Sequence, residues 1–238
     1  MAAQGKMPAL NQAIRQSLPG MVKVARDNPE ARVMVRAVSF ADQANWHISE
    51  PTAVDQLQWV DLQAGGVTAM GKALELVASQ LNSPPMEERA LPPVLVLISD
   101  GQPTDDFDAG LKKLMHQPWA QKAVRLAIAV GQDANHEVLQ DFIGHDAGES
   151  LQRGQSPDIS GQSQSSCQER NKSARRPLQA SNATALAQYI EWASTAVVGA
   201  ASMPVSRTEG SASEANIPLP DLPPTLIDPI DDVGPVVW

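Results

Sequence analysis

A run of aliphatic residues at positions 93–99, Pro-Val-Leu-Val-Leu-Ile-Ser, constrains the fold of this 238-residue chain more than any other feature. A strand that is apolar at almost every position is typical of the centre of a parallel sheet, where both faces are covered. Parallel strands are joined by long crossover connections, which are usually helical. The run therefore predicts an α/β fold in which residues 94–99 form a central strand.

Alternating strand and helix patterns before and after this run agree with that prediction. The arrangement predicts an α/β fold with an open, mostly parallel, doubly wound sheet. In such sheets, ligands bind beyond the carboxyl ends of the strands. The further strands are predicted at residues 33–40, 45–49, 124–130 and 177–179, and the helices at residues 7–25, 68–81, 106–115, 136–143 and 183–200.

Composition divides the chain into four regions. Residues 1–146 carry the strand and helix patterns, and residues 177–201 supply the final strand and helix of the same predicted domain. In residues 147–176, half of the positions are Ser, Gln or Gly. Such a segment buries too little apolar surface to offset its ordering entropy, so we expect a disordered insertion. Residues 202–238 are proline-rich and acidic, and we expect a disordered tail.

Charge and cysteine content exclude several classes of function. The net charge is −9 and the chain has no basic stripe, which argues against nucleic acid and anionic membranes as partners. A single cysteine, Cys167, excludes an internal disulfide framework and a four-thiolate zinc site. No apolar run approaches the about 20 residues of a membrane span, and the first residues do not resemble a signal peptide. We therefore expect a cytoplasmic protein.

The motifs of common enzyme classes are absent from the sequence. The four histidines lack the spacing of zinc ligands. The sequence has no Gly-x-Ser-x-Gly elbow, no Gly-x-Gly-x-x-Gly loop after a strand, and no phosphate loop ending in Gly-Lys-Ser/Thr. We expect a non-enzymatic protein with neither catalytic residues nor a site for an organic cofactor.

Two predicted strand-end segments carry oxygen groups that suit a hard cation. Residues 65–68, Gly-Gly-Val-Thr, bring Thr68 to the start of a helix, and Asp100 follows the aliphatic strand directly. A hydroxyl and a carboxylate at neighbouring strand ends suit Mg²⁺ or Mn²⁺. Thr68 and Asp100 are therefore the candidate metal ligands. The residues expected to shape the loops around them are Gly65, Gly66, Ser99 and Gly101.

Each of these polar residues also has a structural interpretation. Thr68 could equally cap its own helix, while Asp105 and Asp106, with Thr104, are better explained as cap and first-turn residues than as ligands. For Asp100 the functional interpretation is favoured over a structural one, because the residue lies immediately beyond a buried strand, where ligands bind. One alternative is a Mg²⁺-dependent hydrolase or phosphotransfer protein using Asp100, although a second strand-end carboxylate and a basic residue for phosphate are missing. Another alternative is a metal-independent scaffold.

Three segments together resemble a von Willebrand factor A (VWA) domain. They are Gly-Gly-Val-Thr at 65–68, Val-Leu-Val-Leu-Ile-Ser-Asp-Gly-Gln-Pro-Thr at 94–104 and Leu-Ala-Ile-Ala-Val-Gly at 126–131. The segment at 177–197 is similar to the bacterial TerY-like branch, which is associated with tellurium resistance. The resemblance covers residues 1–201 apart from the insertion. It implies protein binding through a metal-ion-dependent adhesion site rather than catalysis.

That site in the family combines an Asp-x-Ser-x-Ser segment after the first strand with a threonine and an aspartate. By resemblance, Thr68 would bind Mg²⁺ or Mn²⁺ directly or through water. Asp100 would act mainly through water, leaving one coordination position for a carboxylate of the partner protein. TerY-like relatives often accompany a PP2C-like phosphatase and a Ser/Thr kinase, which implies a partner in phosphosignalling.

The chain departs from the family pattern at its start. It contains neither the Asp-x-Ser-x-Ser segment nor the first strand, which in the family lies between the strands at 33–40 and 94–99. Residues 1–14 fit directly after the last serine of that motif, and our hypothesis is that Met1 is the motif methionine read as a start codon. We expect the chain to bind Mg²⁺ or Mn²⁺ weakly or not at all.

Overall fold

The computed structural model describes residues 5–27, 32–87, 90–144 and 176–201, together with positions 220 and 222. The predicted disordered insertion lies outside the described residues except at Arg176. Almost all of the predicted tail also lies outside them.

Strands and helices alternate in the described residues, which confirms the predicted α/β fold. The strands are β1 (Met34–Phe40), β2 (Ala44–Ala53), β3 (Val94–Ser99), β4 (Val124–Val130) and β5 (Leu178–Ala180). The helices are α1 (Lys6–Asp27), α2 (Met70–Ala78), α3 (Phe107–Met115), α4 (Pro118–Gln121), α5 (His136–Ile143), α6 (Ala183–Trp192) and α7 (Val198–Ala201), with a π-helical segment, Ala193–Val197, between α6 and α7. The short helix α4 was not predicted, and β2 is longer than predicted.

The strands form two sheets rather than one. In the first, β3, β4 and β5 are parallel with β4 in the middle, and Val94 lies opposite Val124. In the second, β1 and β2 pair as an antiparallel hairpin. The expectation that β3 is covered on both faces holds, because Val94 and Ile98 pack against one apolar cluster and Leu95 and Leu97 pack in another. The expectation that it is a central strand is wrong for the described residues, where β3 is an edge strand. Val96 is 40% exposed.

The carboxyl ends of β1 in one sheet and β3 in the other nevertheless lie close together. The backbone N–H of Ala69 donates to the carbonyl of Ala41, just after β1, at 2.8 Å. The N–H of Thr104, in the loop after β3, donates to the carbonyl of Thr68 at 2.9 Å. The carboxyl ends of β1 and β3 therefore meet at residues 68–69, although no backbone ladder joins these strands among the described residues.

Helices cover both faces of β4, so the domain has three layers at that strand. Leu126 and Ile128 pack in one apolar cluster with residues of α1 and α6, including Leu10 and Leu186. The intervening residues of β4 pack in a second cluster, which includes Met70 of α2, because successive side chains of a strand point to opposite faces. Leu222 also belongs to the first cluster, so the predicted tail contacts the domain at this position.

None of the described helices combines the length and the apolar character needed to cross a membrane.

Hydrogen exchange is expected to distinguish the middle strand β4 from β1 and β3, which each have an unpaired edge among the described residues. β4 is hydrogen-bonded to strands on both sides, and most of its residues are buried. We expect the amides of β4 to exchange at least about tenfold more slowly than those of β1 and β3 because edge strands open more readily. Exchange measured by mass spectrometry or NMR checks this. Equal protection of β3 and β4 would show that a further strand covers the edge of β3.

Candidate functional site

The turn after β3 is held by the hydroxyl of Ser99, which is only 2% exposed. This oxygen lies 3.3 Å from both the N–H and the carbonyl of Gly101, so that one side chain closes the turn. Asp100 stands between these residues, and its side chain is 19% exposed. The turn therefore presents the Asp100 carboxylate beyond the end of β3.

Thr68 lies against the same turn. Its N–H donates to the Thr104 hydroxyl at 3.1 Å, and its carbonyl accepts from the Met70 N–H at 2.8 Å as well as from the N–H of Thr104. A methyl group at Gly101 would lie 3.6 Å from the Thr68 hydroxyl, which places that hydroxyl beside the turn. The structure thus brings the loops of the two predicted ligands together.

The alternative interpretation of Thr68 as a helix cap is wrong. The N-cap residue of α2 is Ala69, and the carboxylate that serves the first turn comes from the neighbouring loop. Asp105 accepts hydrogen bonds from the backbone N–H groups of Gly71 at 2.9 Å and Lys72 at 2.8 Å. Asp106 caps α3 by accepting from the N–H of Ala109 at 2.9 Å. The structural interpretation of Asp105 and Asp106 is confirmed, although Asp105 serves α2 rather than its own helix.

Gly66 adopts a positive φ of 70°, which favours glycine, in the loop that leads to Thr68. The next amide, Val67 N–H, donates to the Asp42 carboxylate at 3.0 Å. A methyl group at Gly66 would lie only 2.7 Å from that oxygen. This loop is therefore fixed to the residues that follow β1. Gly65 is different from Gly66, because a methyl group at Gly65 would meet no atom of the described residues within 4 Å.

Lys6 is a member of this site that the sequence did not reveal. It is 4% exposed, and its Nζ lies 3.7 Å from Oδ2 of Asp100 and 3.9 Å from Oδ2 of Asp133. The same Nζ donates to the carbonyl of Val130 at 3.4 Å. Asp133 follows the end of β4, so the rule that ligands bind at strand ends could have identified it. A single lysine at a predicted helix start gives no comparable signal.

The family model of the von Willebrand factor type A domain matches residues 12–156, which is more than half of the chain. The chain belongs to the VWA family. No curated protein matches the chain. VWA domains are generally protein-interaction modules, mostly non-enzymatic, and they typically bind Mg²⁺ or Mn²⁺ at the adhesion site. The matched residues include both Thr68 and Asp100 of this VWA domain.

The described residues of this VWA domain do not fit a complete metal site of the family. Mg²⁺ requires near-octahedral oxygen coordination and is usually held by one or two carboxylates together with waters or substrate oxygens. In the described ranges, no group of three or more His, Cys, Asp or Glu side chains is placed to hold a metal ion. The carboxylate of Asp100 instead faces the buried ammonium group of Lys6. Thr68 and Asp100 as metal ligands remain predictions.

Proposed function

We propose that this VWA domain binds a partner protein at the surface formed by Thr68 and Asp100, here called the strand-end site, and that it has no catalytic activity. The observation that carries this proposal is the convergence of the loops after β1 and β3 on residues 68–69. Backbone hydrogen bonds fix both loops, so the polar groups are held in place before a partner arrives. Preorganisation of this kind lowers the entropic cost of binding.

The partner that we propose offers a carboxylate, as partners of VWA domains do at the adhesion site. The likeness of residues 177–197 to the TerY-like branch supports a cytoplasmic role in tellurite or stress response. It also supports a PP2C-like phosphatase or a Ser/Thr kinase as the partner. The chain alone holds Mg²⁺ or Mn²⁺ weakly or not at all, because the Asp-x-Ser-x-Ser segment is absent from the sequence. The carboxylate of the partner is therefore a further ligand to a shared cation, since without that cation Asp100 would repel it.

We further propose that a strand is missing between β1 and β3. Three observations support this. In the part of the chain described, β1 and β3 each have one hydrogen-bonded neighbour. The loops that follow these two strands both contact residues 68–69, and each strand exposes an apolar residue. The exposed side chains are Met34 at 42% and Val96 at 40%. Phe40 of β1 and Leu97 of β3 also pack in the same apolar cluster as α2.

Affinity capture with matched variants tests the proposed partner site. Asp100→Asn removes the negative charge and Thr68→Val removes the hydroxyl, while Asp108→Asn makes the same charge change as Asp100→Asn at an exposed position of α3. We expect a partner retained by the wild-type chain and by Asp108→Asn to be retained at least about tenfold less by the two site variants, as for loss of a central contact.

Retention that is unchanged in both Asp100→Asn and Thr68→Val would contradict the strand-end site. A phosphatase assay on the same proteins tests the hydrolase alternative. Phosphate release by the wild-type chain that disappears in Asp100→Asn would show that Asp100 serves catalysis instead.

A further inference from the structure

We propose that the ammonium group of Lys6 is the resident cation of the strand-end site and keeps divalent cations away from Asp100. The inference rests on the proposed assignment of Thr68 and Asp100 to one site. Its test measures metal binding alone, so that its failure would leave the result of the partner-capture experiment unchanged.

Oxygen atoms of three described residues lie near the Lys6 ammonium. They are the carbonyl of Val130 at 3.4 Å and the carboxylates of Asp100 at 3.7 Å and Asp133 at 3.9 Å. An ammonium group has three N–H donors and no acceptor, so this environment matches its chemistry. The oxygens come from the carboxyl ends of two adjacent parallel strands, β3 and β4, and one of them belongs to Asp100, the aspartate that the resemblance to the family assigns to cation binding.

The burial of Lys6 requires these carboxylates. Lysine is almost never fully buried unless it is paired, and the side chain of Lys6 is only 5% exposed. Lys6 is also the first residue of α1, where the positive end of the helix dipole disfavours a cation. The first turn of α1 contains no acidic residue that could compensate. Asp100, which is mostly buried, and Asp133, whose side chain is 87% exposed, supply the compensating charge.

A divalent cation at Asp100 would have to displace this ammonium group. Two positive charges a few ångströms apart repel each other, most strongly where water is partly excluded. The ammonium also cannot serve as a ligand, because it has no lone pair to offer. Lys6 therefore competes with a metal for the same carboxylate. This competition weakens metal binding further, beyond the effect of the ligands that the chain lacks.

Manganese binding by matched variants tests this assignment. Lys6→Gln removes the charge and keeps a polar group, whereas Lys6→Met removes the charge and keeps the length of the side chain. Lys23→Gln makes the same charge change at an exposed position of α1, about 25 Å farther along the helix. Free Mn²⁺ is measured by electron paramagnetic resonance during titration of each protein.

We expect the dissociation constant for Mn²⁺ to fall at least about tenfold in Lys6→Gln and Lys6→Met relative to both wild type and Lys23→Gln. An unchanged constant in both Lys6 variants would overturn the assignment. Tight, saturable Mn²⁺ binding by the wild-type chain would overturn it as well.

If the Lys6 variants fold poorly, unfolding in the presence of Mn²⁺ tests whether Lys6 keeps divalent cations away from Asp100. Ligands that bind only the folded state raise its stability. We expect millimolar Mn²⁺ to raise the unfolding midpoint of Lys6→Met and to leave those of wild type and Lys23→Gln unchanged relative to chelator. An equal response of all three proteins would contradict the role of Lys6.

Discussion

Gly110→Ala is expected to destabilise the domain by about 3 kcal/mol, the upper end of the range for overpacking a tightly packed interior. The added methyl group would lie 2.4 Å from the carbonyl oxygen of Gly71 and 2.7 Å from its Cα. Both atoms belong to the backbone of α2, so they cannot rotate away as a side chain could. The two helices must therefore separate. Urea unfolding of the two proteins measures the change.

Gly65→Ala provides a matched control for this substitution. The new methyl group would meet no atom of the described residues within 4 Å, and we expect a change within about 0.5 kcal/mol. Gly110→Ala with as small an effect as Gly65→Ala would contradict the close approach of α2 and α3. The approach matters for the site because Asp105, which precedes α3, reaches the first turn of α2 beside Thr68.

Most helices and strands could be predicted because their signals are local. The aliphatic runs at 93–99 and 124–130 became β3 and β4 within one residue at either end. The spacing of apolar residues likewise predicted α1, α2 and α6, since one face of each helix contributes to an apolar cluster. The four-residue helix α4 was missed because it is shorter than the two turns over which periodicity can be recognised.

Contacts between distant segments could not be predicted in this way. The aliphatic character of β3 indicated two covered faces, but periodicity does not reveal which strand lies beside it, and β3 is an edge strand in the described structure. The carboxylate of Asp105 was expected at a helix start, and it does cap a helix. Its partner is α2, more than 30 positions earlier in the chain. Only the fold could show that.

The candidate site shows the same division. Asp100 and Thr68 were identified because each lies at a predicted strand or helix end, and the structure brings their loops together. Lys6 was missed because its burial depends on carboxylates 94 and 127 positions later in the sequence, not on its own neighbours. The family match begins at residue 12 and does not include it.

Asn11→Ala is expected to destabilise the domain by about 3 kcal/mol because it leaves several partly buried polar groups without a partner. Asn11 is 3% exposed. Its side-chain oxygen accepts from the backbone N–H of Leu62 at 2.9 Å and from Nε1 of Trp59 at 3.1 Å. Its side-chain nitrogen donates to the carbonyl of Leu62 at 2.9 Å. Urea unfolding measures the loss, and Gln12→Ala, at an exposed position of the same helix, is the control.

The effect of Asn11→Ala should also reach the strand-end site. Leu62 lies six positions before Thr68, and the intervening segment is fixed by Asn11 at one end and by the contact of Val67 with Asp42 at the other. Without the first of these anchors, we expect the amide of Leu62 to exchange at least about tenfold faster. Unchanged exchange at Leu62 would show that Asn11 does not hold this segment. We also expect Asn11→Ala to reduce retention of the partner less than Thr68→Val does, because Asn11 positions the loop whereas Thr68 presents the hydroxyl.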